Sequence, residues 1–411
     1  MSAFARMTAA LRSDAVSGSL LIGAAVVALV WANSPLSPAY ESLRSFTFGP
    51  TSLHVNLPLH AWTSDGLLTL FFFIVGNELK REIVHGALRH PRHAILPIVA
   101  ALSGVLIPVA VFVAVNVLRS QPISGWGVPM ATDAAFAVAV LAVVGRHLPS
   151  PLRTFLLTMA TVDDMCAVII IAVSHTAGLA PVALGGTVLG LAVFGYLQNS
   201  RSCAGVPRWV VYGPLAAGIW TLTHASGVHA TIAGVAMGTL MRTTPRPGEP
   251  VSPSHRAEIA LRPVVAGLAL PAFALMSAGI SLEGAGGIWS STITWGILGG
   301  LIGGKAVGIF GGTWLTARIT RAELNPGLSW PDIAGIGLLG GIGFTVSLLI
   351  SELSFTDATT LGNAKGAVLL ASAIAAVLAA LLLGVRDRHH RRNVETHAAT
   401  CHRCTDIHSH K

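Results

Sequence analysis

The stretch PLRTFLLTMATVDDMCAVIIIAVS, residues 151–174, is apolar enough to cross a lipid bilayer, yet two adjacent aspartates, Asp163 and Asp164, sit at its middle. A membrane-spanning helix needs roughly 20 mostly apolar residues. Windows of that kind recur outward from this one, near 18–33, 64–84, 94–117, 124–144, 152–174, 180–197, 209–222, 226–241, 260–281, 291–316, 332–351 and 363–385. Over 411 residues the chain is 53% hydrophobic and only 11% charged, with a mean hydropathy of +0.69. A water-soluble globule of this length would be short of charged surface. The expectation is an all-α polytopic membrane protein: a cytoplasmic N-terminus (1–17), one transmembrane domain (18–385) and a basic tail (386–411) that is disordered. The 44 glycines and 22 prolines fit membrane bundles, where they allow close helix contact and interrupted helices.

The first apolar run, Gly18 to Trp31, follows Arg6 and Arg12 and resembles a signal peptide. A retained helix is the better reading, because Ala32 to Ala39 make a poor cleavage site and further spans follow at once. Cys166, Cys203, Cys401 and Cys404 do not form a disulfide framework. The formal charge of +8 raises the question of nucleic acid, and the placement of the basic residues answers it. They gather at the N-terminus, on alternate loops (Lys80, Arg81, Arg153, Arg256, Arg262 and Arg318 among them) and in the tail from Arg386 to Lys411; the opposite side holds only Arg44 and Arg119. This is the positive-inside asymmetry, with both termini cytoplasmic and an even number of spans. Residues 46–55 alternate around Gly49-Pro50 in the first outer loop (44–58), as a short hairpin or a plain loop would.

Most of the 18 acids lie in loops or at helix ends, but Asp133, Asp163 and Asp164 fall inside spans. A carboxylate at mid-membrane costs roughly 2.5–3.5 kcal/mol even on the mildest scale, so its default reading is functional. The alternative is internal pairing that only ties helices together. Adjacent helical residues point about 100° apart, so Asp163 and Asp164 cannot face one partner, yet they are close enough to titrate as a coupled unit. A carboxylate with backbone carbonyls and Thr hydroxyls also supplies the oxygen ligands a hard cation prefers. Lys305, inside another apolar run, needs an anion, and one of the paired aspartates is the natural partner. Lys365, near a span end, reads more readily as snorkelling to the interface.

Pro129 to Asp133 and Gly340, Gly341 and Gly343 look like interruptions of two spans, the arrangement inverted repeats produce. There Asp133 would balance positive helix ends and Lys305 negative ones. Glu78 and Glu82, one turn apart, could form a cytoplasmic funnel for cations or a solvated helix end. His229 reads as a structural polar contact. Cys401-His402-Arg403-Cys404 with His408 and His410 is a weak metal-binding pattern in the tail.

At these residues the chain resembles the NhaA sodium/proton antiporters, from about Ser13 to Arg386. The likeness is carried by FFIVGNELKRE (72–82), ATDAAFA (131–137), FLLTMATVDD (155–164), GVHATIAG (227–234), GKAVGI (304–309) and GIGFTVS (341–347). The resemblance implies twelve helices, two of them interrupted and crossing at mid-membrane, with an inward funnel. It also implies a homodimer in the inner membrane that contacts through the hairpin, and electrogenic, pH-regulated exchange of sodium or lithium for protons without a cofactor. By position, Asp164 and Asp163 would be the cation and proton site and Lys305 would pair with Asp163. Asp133 with Thr132 would compensate the crossing helix ends. Glu78, Glu82, Glu258 and Arg256 would belong to the pH-responsive funnel. This chain departs from the family pattern at Ile259 and Arg262, where histidines are expected, and at Ser277-Ala278-Gly279, where the pattern has Asn-Ala-Gly. An intramembrane aspartyl protease would place its acids on separate helices, one within Gly-x-Gly-Asp, which is absent here. A sodium-coupled symporter for an organic anion would want intramembrane arginines, which the spans lack.

Overall fold

The computed structural model describes residues 13–408 apart from 52–54, 90, 146, 175, 177, 201–207, 282–285, 321 and 326. Helix α1 (Asp14–Ala32) bends by 117° into the short α2 (Ser37–Ser45). Strands β1 (Thr47–Phe48) and β2 (Leu57–Pro58) pair antiparallel, Thr47 opposite Pro58. The hairpin therefore returns beyond Val55, past the 46–55 expected from the alternation, and its tip at 52–54 lies outside the described residues.

Nearly everything else is helix: α3 (Leu59–Val84), α4 (Pro91–Val117), α5 (Ala134–Val144), α6 (Ser150–Ser174), α7 (Pro181–Asn199), α8 (Arg208–Ala225), α9 (Thr231–Leu240) and α10 (Pro253–Ser277). Then follow α11 (Gly286–Ser290), α12 (Thr292–Thr320), α13 (Trp330–Gly340), α14 (Phe344–Ser354) and α15 (Ala358–His408). Among the described residues eight helices are long and apolar enough to cross a membrane, nine with the bent α1–α2 pair. The other expected spans are the shorter apolar segments Val128–Val144 and Thr231–Leu240, and α8.

The expected span 124–144 is helical only in its second half. Before it stand a single turn at Val128–Met130 and extended backbone at Ala131. Gly125 with φ +82° and Pro129, which has no N–H to donate, prevent a regular helix there. The later interruption falls at 341–343, between α13 and α14. Helix α15 runs on into the tail as far as His408, with no glycine or proline after Gly384 to stop it. The side chains of Cys401, His402, Cys404, His408 and His410 lie outside the described ones.

Small residues set the close approaches. A Cβ on Gly234 or Gly238 of α9 would lie 2.3 Å from Thr69 O or Phe73 O of α3, and one on Gly76 would lie 2.3 Å from Val235 O. Backbone therefore packs on backbone, as small residues four apart allow. In α12, wide π-helical turns at Gly299–Gly304 carry Gly304 against Pro108 of α4, where a Cβ would come within 2.8 Å of the Pro108 Cα. Lys305 begins the next turn.

Candidate functional site

Asp133 stands at the crossing of the two interrupted segments and caps both outgoing half-helices. Its Oδ1 accepts from Phe136 N of α5 at 2.9 Å, and its Oδ2 accepts from Thr345 N of α14 at 3.1 Å. Each helix start presents unpaired N–H groups and a partial positive charge; one carboxylate serves both. Backbone crosses as well, with Asp133 N donating to Ile342 O at 2.6 Å.

The helix ends that stop at the crossing expose carbonyls, and hydroxyls satisfy them. Thr132 Oγ1 donates to Gly340 O at 2.9 Å and Ser347 Oγ to Val128 O at 2.7 Å. Lys305, for which the sequence left both these negative ends and one of the paired aspartates as partners, takes the aspartate: its Nζ donates to Asp163 Oδ2 at 2.8 Å, with both side chains 1% exposed. A full carboxylate charge outcompetes a half-charge already hydrogen-bonded to a hydroxyl. Gly340, Gly341 and Gly343 have no room for a side chain: a Cβ would approach Ile309 Cδ1, Leu301 O and Ser347 Oγ at 2.4, 2.5 and 2.5 Å.

Asp163 is paired with Lys305 and lies beside Thr132. Asp164, one residue on, feels the charges of Asp163, Asp133, Glu78 and Lys305. One carboxylate oxygen on each of Asp163 and Asp164 is buried without a hydrogen-bond partner among the described residues. Buried acceptors are seldom left this way; two on neighbouring residues form a ready place for a cation or for protons. Among the described residues no three His, Cys, Asp or Glu side chains converge as a metal cluster would. A cation held here would draw on these carboxylates plus hydroxyl and carbonyl oxygens.

Toward one end of the bundle, Glu78 of α3 meets Arg262 of α10 at 3.2 Å, and Arg262 lies 3.7 Å from Glu258. Arg81 also pairs with Glu258, and His255 lies 3.8 Å from it. Glu82 follows Glu78 by one turn of α3. Arg256, grouped from the sequence with these acids, instead donates to Val251 O; Arg81 and Arg262 occupy the cluster. Arg262, a departure from the family pattern, is the residue that bridges the two glutamates.

Three polar groupings, wholly or partly buried, bring together partners the sequence reading did not name, although it read His229 as a structural polar contact. Asp332, fully buried, caps α13 with Ser329 and receives Arg386 Nε at 2.9 Å. Asp65 lies 3.4 Å from His229, whose other ring nitrogen meets Thr231 Oγ1 at 2.7 Å. Lys365 does not snorkel: it is 3% exposed and donates to Glu352 Oε1 at 2.7 Å. Each of these acids falls within two residues of the edge of an expected span, so each read as a solvated end. The three-residue spacing that places Ser329 before Asp332 as a capping box was the available signal for one of them.

A helical bundle with two interrupted segments crossing at buried, paired charges is the architecture of a secondary transporter that moves ions across a membrane. The chain belongs to the Na+/H+ antiporter 1 family, whose model matches residues 8–383. That is a family of transporters rather than enzymes, and it moves ions without a cofactor. The chain is 66% identical over 379 residues to a protein of Streptomyces coelicolor described as Na(+)/H(+) antiporter NhaA 1/4, covering 90% of this chain and 92% of that one. It is 58% identical over 390 residues to a Na(+)/H(+) antiporter NhaA of Thermobifida fusca, covering 93% and 94%. The fold also matches the solved sodium proton antiporter MjNhaP1 of Methanocaldococcus jannaschii, with a TM-score of 0.51 over 90% of this chain and 91% of that one, at 14% identity. The protein is therefore a multi-pass membrane protein of the NhaA fold.

Proposed function

We propose that this protein exchanges intracellular sodium or lithium for external protons, electrogenically and under pH control, through competition at Asp163 and Asp164. The observation that carries this reading is a pair of buried carboxylate oxygens on adjacent residues, without a hydrogen-bond partner among the described residues, one of which belongs to the carboxylate held by Lys305. With both aspartates ionised and Lys305 protonated, the three groups carry one net negative charge. A sodium ion cancels it. Two protons on the carboxylates in place of sodium leave one net positive charge, so a cycle that exchanges more than one proton per sodium moves charge across the membrane. Sodium and protons occupy the same oxygens, so each expels the other, and exchange needs only alternating access of the site to the two sides.

The basic asymmetry of the sequence supports both termini in the cytoplasm, which places the Glu78–Arg262–Glu258 cluster at the cytoplasmic mouth. There it attracts cations and responds to pH. The family resemblance supports a homodimer in the inner membrane joined through the β1–β2 hairpin. The test uses everted vesicles containing the protein, energised with a pH gradient and monitored with a pH-sensitive dye. Added sodium or lithium should dissipate the gradient, and Asp164→Asn should abolish the response. No response to any alkali cation across a wide pH range would overturn the proposal.

A further inference from the structure

A second buried ionic cluster lies at the other end of α10. That helix carries Glu258 in its first turns and ends at Ser277, so the cluster around Ser277 is across the thickness of the bundle from Glu78. Ser277 Oγ donates to Glu352 Oε1 at 2.8 Å, and Lys365 Nζ donates to the same oxygen at 2.7 Å. The three residues come from the last turns of α10 and α14 and the early turns of α15. The two ends of the bundle differ in solvent access. Glu78 and Arg262 side chains are 35% and 42% exposed, whereas those of Glu352 and Lys365 are 16% and 3% exposed. Ser277 and Ala278 are buried. In this conformation the ion pair at the Glu78 end is the more exposed and that at the Ser277 end the more buried.

The two bonds to Glu352 differ in what they join. Helix α14 leaves the mid-membrane crossing and packs on α15, so the Glu352–Lys365 pair lies within one packed unit. Ser277 belongs to α10, whose end is fastened to the α1–α2 corner: Tyr40 Oη donates to Leu275 O at 2.7 Å and Asn33 Nδ2 to Ile280 O at 2.8 Å. The Ser277–Glu352 bond is therefore a polar link between that corner and the half-helix that starts at the transport site. Lys365 balances the Glu352 charge whether or not the link is made, so breaking the link strands no uncompensated charge. A single hydrogen bond to a charged group shifts an equilibrium by roughly tenfold or more, strong enough to bias a conformation and weak enough to break in every cycle.

We propose that Glu352 is the latch of the outer gate, held shut by Ser277, and that transport breaks the Ser277 bond while the Lys365 pair stays intact. This rests on the exchange reading above. The test measures apparent sodium affinity separately at each face, in everted and in right-side-out vesicles, for wild type and Ser277→Ala. Release of the latch should weaken affinity several-fold at the Glu78 face and strengthen it at the Ser277 face. Changes in the same direction at both faces, or none while the wild type exchanges sodium, would overturn the latch alone; absent exchange in the wild type removes the functional reading and the latch with it. The double variant Glu352→Gln with Lys365→Met keeps an oxygen acceptor for Ser277 but removes the charge that strengthens the bond, so it should shift the balance between faces in the same sense as Ser277→Ala and by less. A shift as large as that of Ser277→Ala in that variant would also overturn the proposal, since charge rather than the hydroxyl link would then set the balance.

Discussion

Replacing Asp133 with asparagine and with alanine separates what one carboxylate does for two helices. In the wild type Oδ1 and Oδ2 each receive one backbone N–H, from Phe136 and Thr345. A buried donor left without a partner costs about 1–3 kcal/mol. Asp133→Ala strands both amides, for about 2–6 kcal/mol. Asp133→Asn keeps one oxygen and turns its NH2 toward the other amide, stranding one donor for about 1–3 kcal/mol. Loss of the negative charge facing two helix starts adds about 0.3–1 kcal/mol at each in both variants. The measurement is thermal unfolding of wild type, Asp133→Asn and Asp133→Ala purified in the same detergent. The Asn variant should melt below wild type, and Ala should lose roughly one and a half times as much. An alanine variant that melts at or above the asparagine variant would refute the shared-cap argument, because the two amides would then be satisfied without the carboxylate.

Two further perturbations address the buried charges and the packing beneath them. Lys305→Met should destabilise the protein by about 3–5 kcal/mol, because it leaves Asp163 buried and unpaired, and adding Asp163→Asn should restore most of that loss; additive melting shifts in the double variant would show that the pair does not act as one. Gly238→Ala, whose Cβ would lie 2.3 Å from Phe73 O, should cost about 1–3 kcal/mol by forcing α9 away from α3, whereas Gly218→Ala, with nothing within 4 Å of its Cβ, should leave the melting temperature unchanged or raise it.

Several features were legible residue by residue. The spans follow from apolar windows, because the cost of exposing backbone and charge to lipid depends mainly on what a 20-residue segment contains. The oddity of Asp133, Asp163, Asp164 and Lys305 was visible for the same reason, and the glycine and proline runs marked where helices break. The edges of spans were less legible. Asp65, Asp332, Glu352 and Lys365 sit where a window average falls toward the polar, and the sequence assigned them to water or an interface. Their burial comes from neighbouring segments that cover them, which a single window does not contain.

What the sequence by itself determined is which residues must be buried in the membrane and which of those carry charge. Only the tertiary structure decided who meets whom. Lys305 and Asp163 are 142 residues apart and Asp133 and Thr345 are 212 apart. Of the two kinds of partner the sequence left for Lys305, Asp163 took it because Thr132 and Ser347 hydroxyls already filled the carbonyls of the helix ends, and Arg81 and Arg262 rather than Arg256 joined Glu78 and Glu258. The physical reason is that the cost of burial is a property of one segment, whereas the choice of partner depends on which helices pack side by side and on which donors reach an acceptor first.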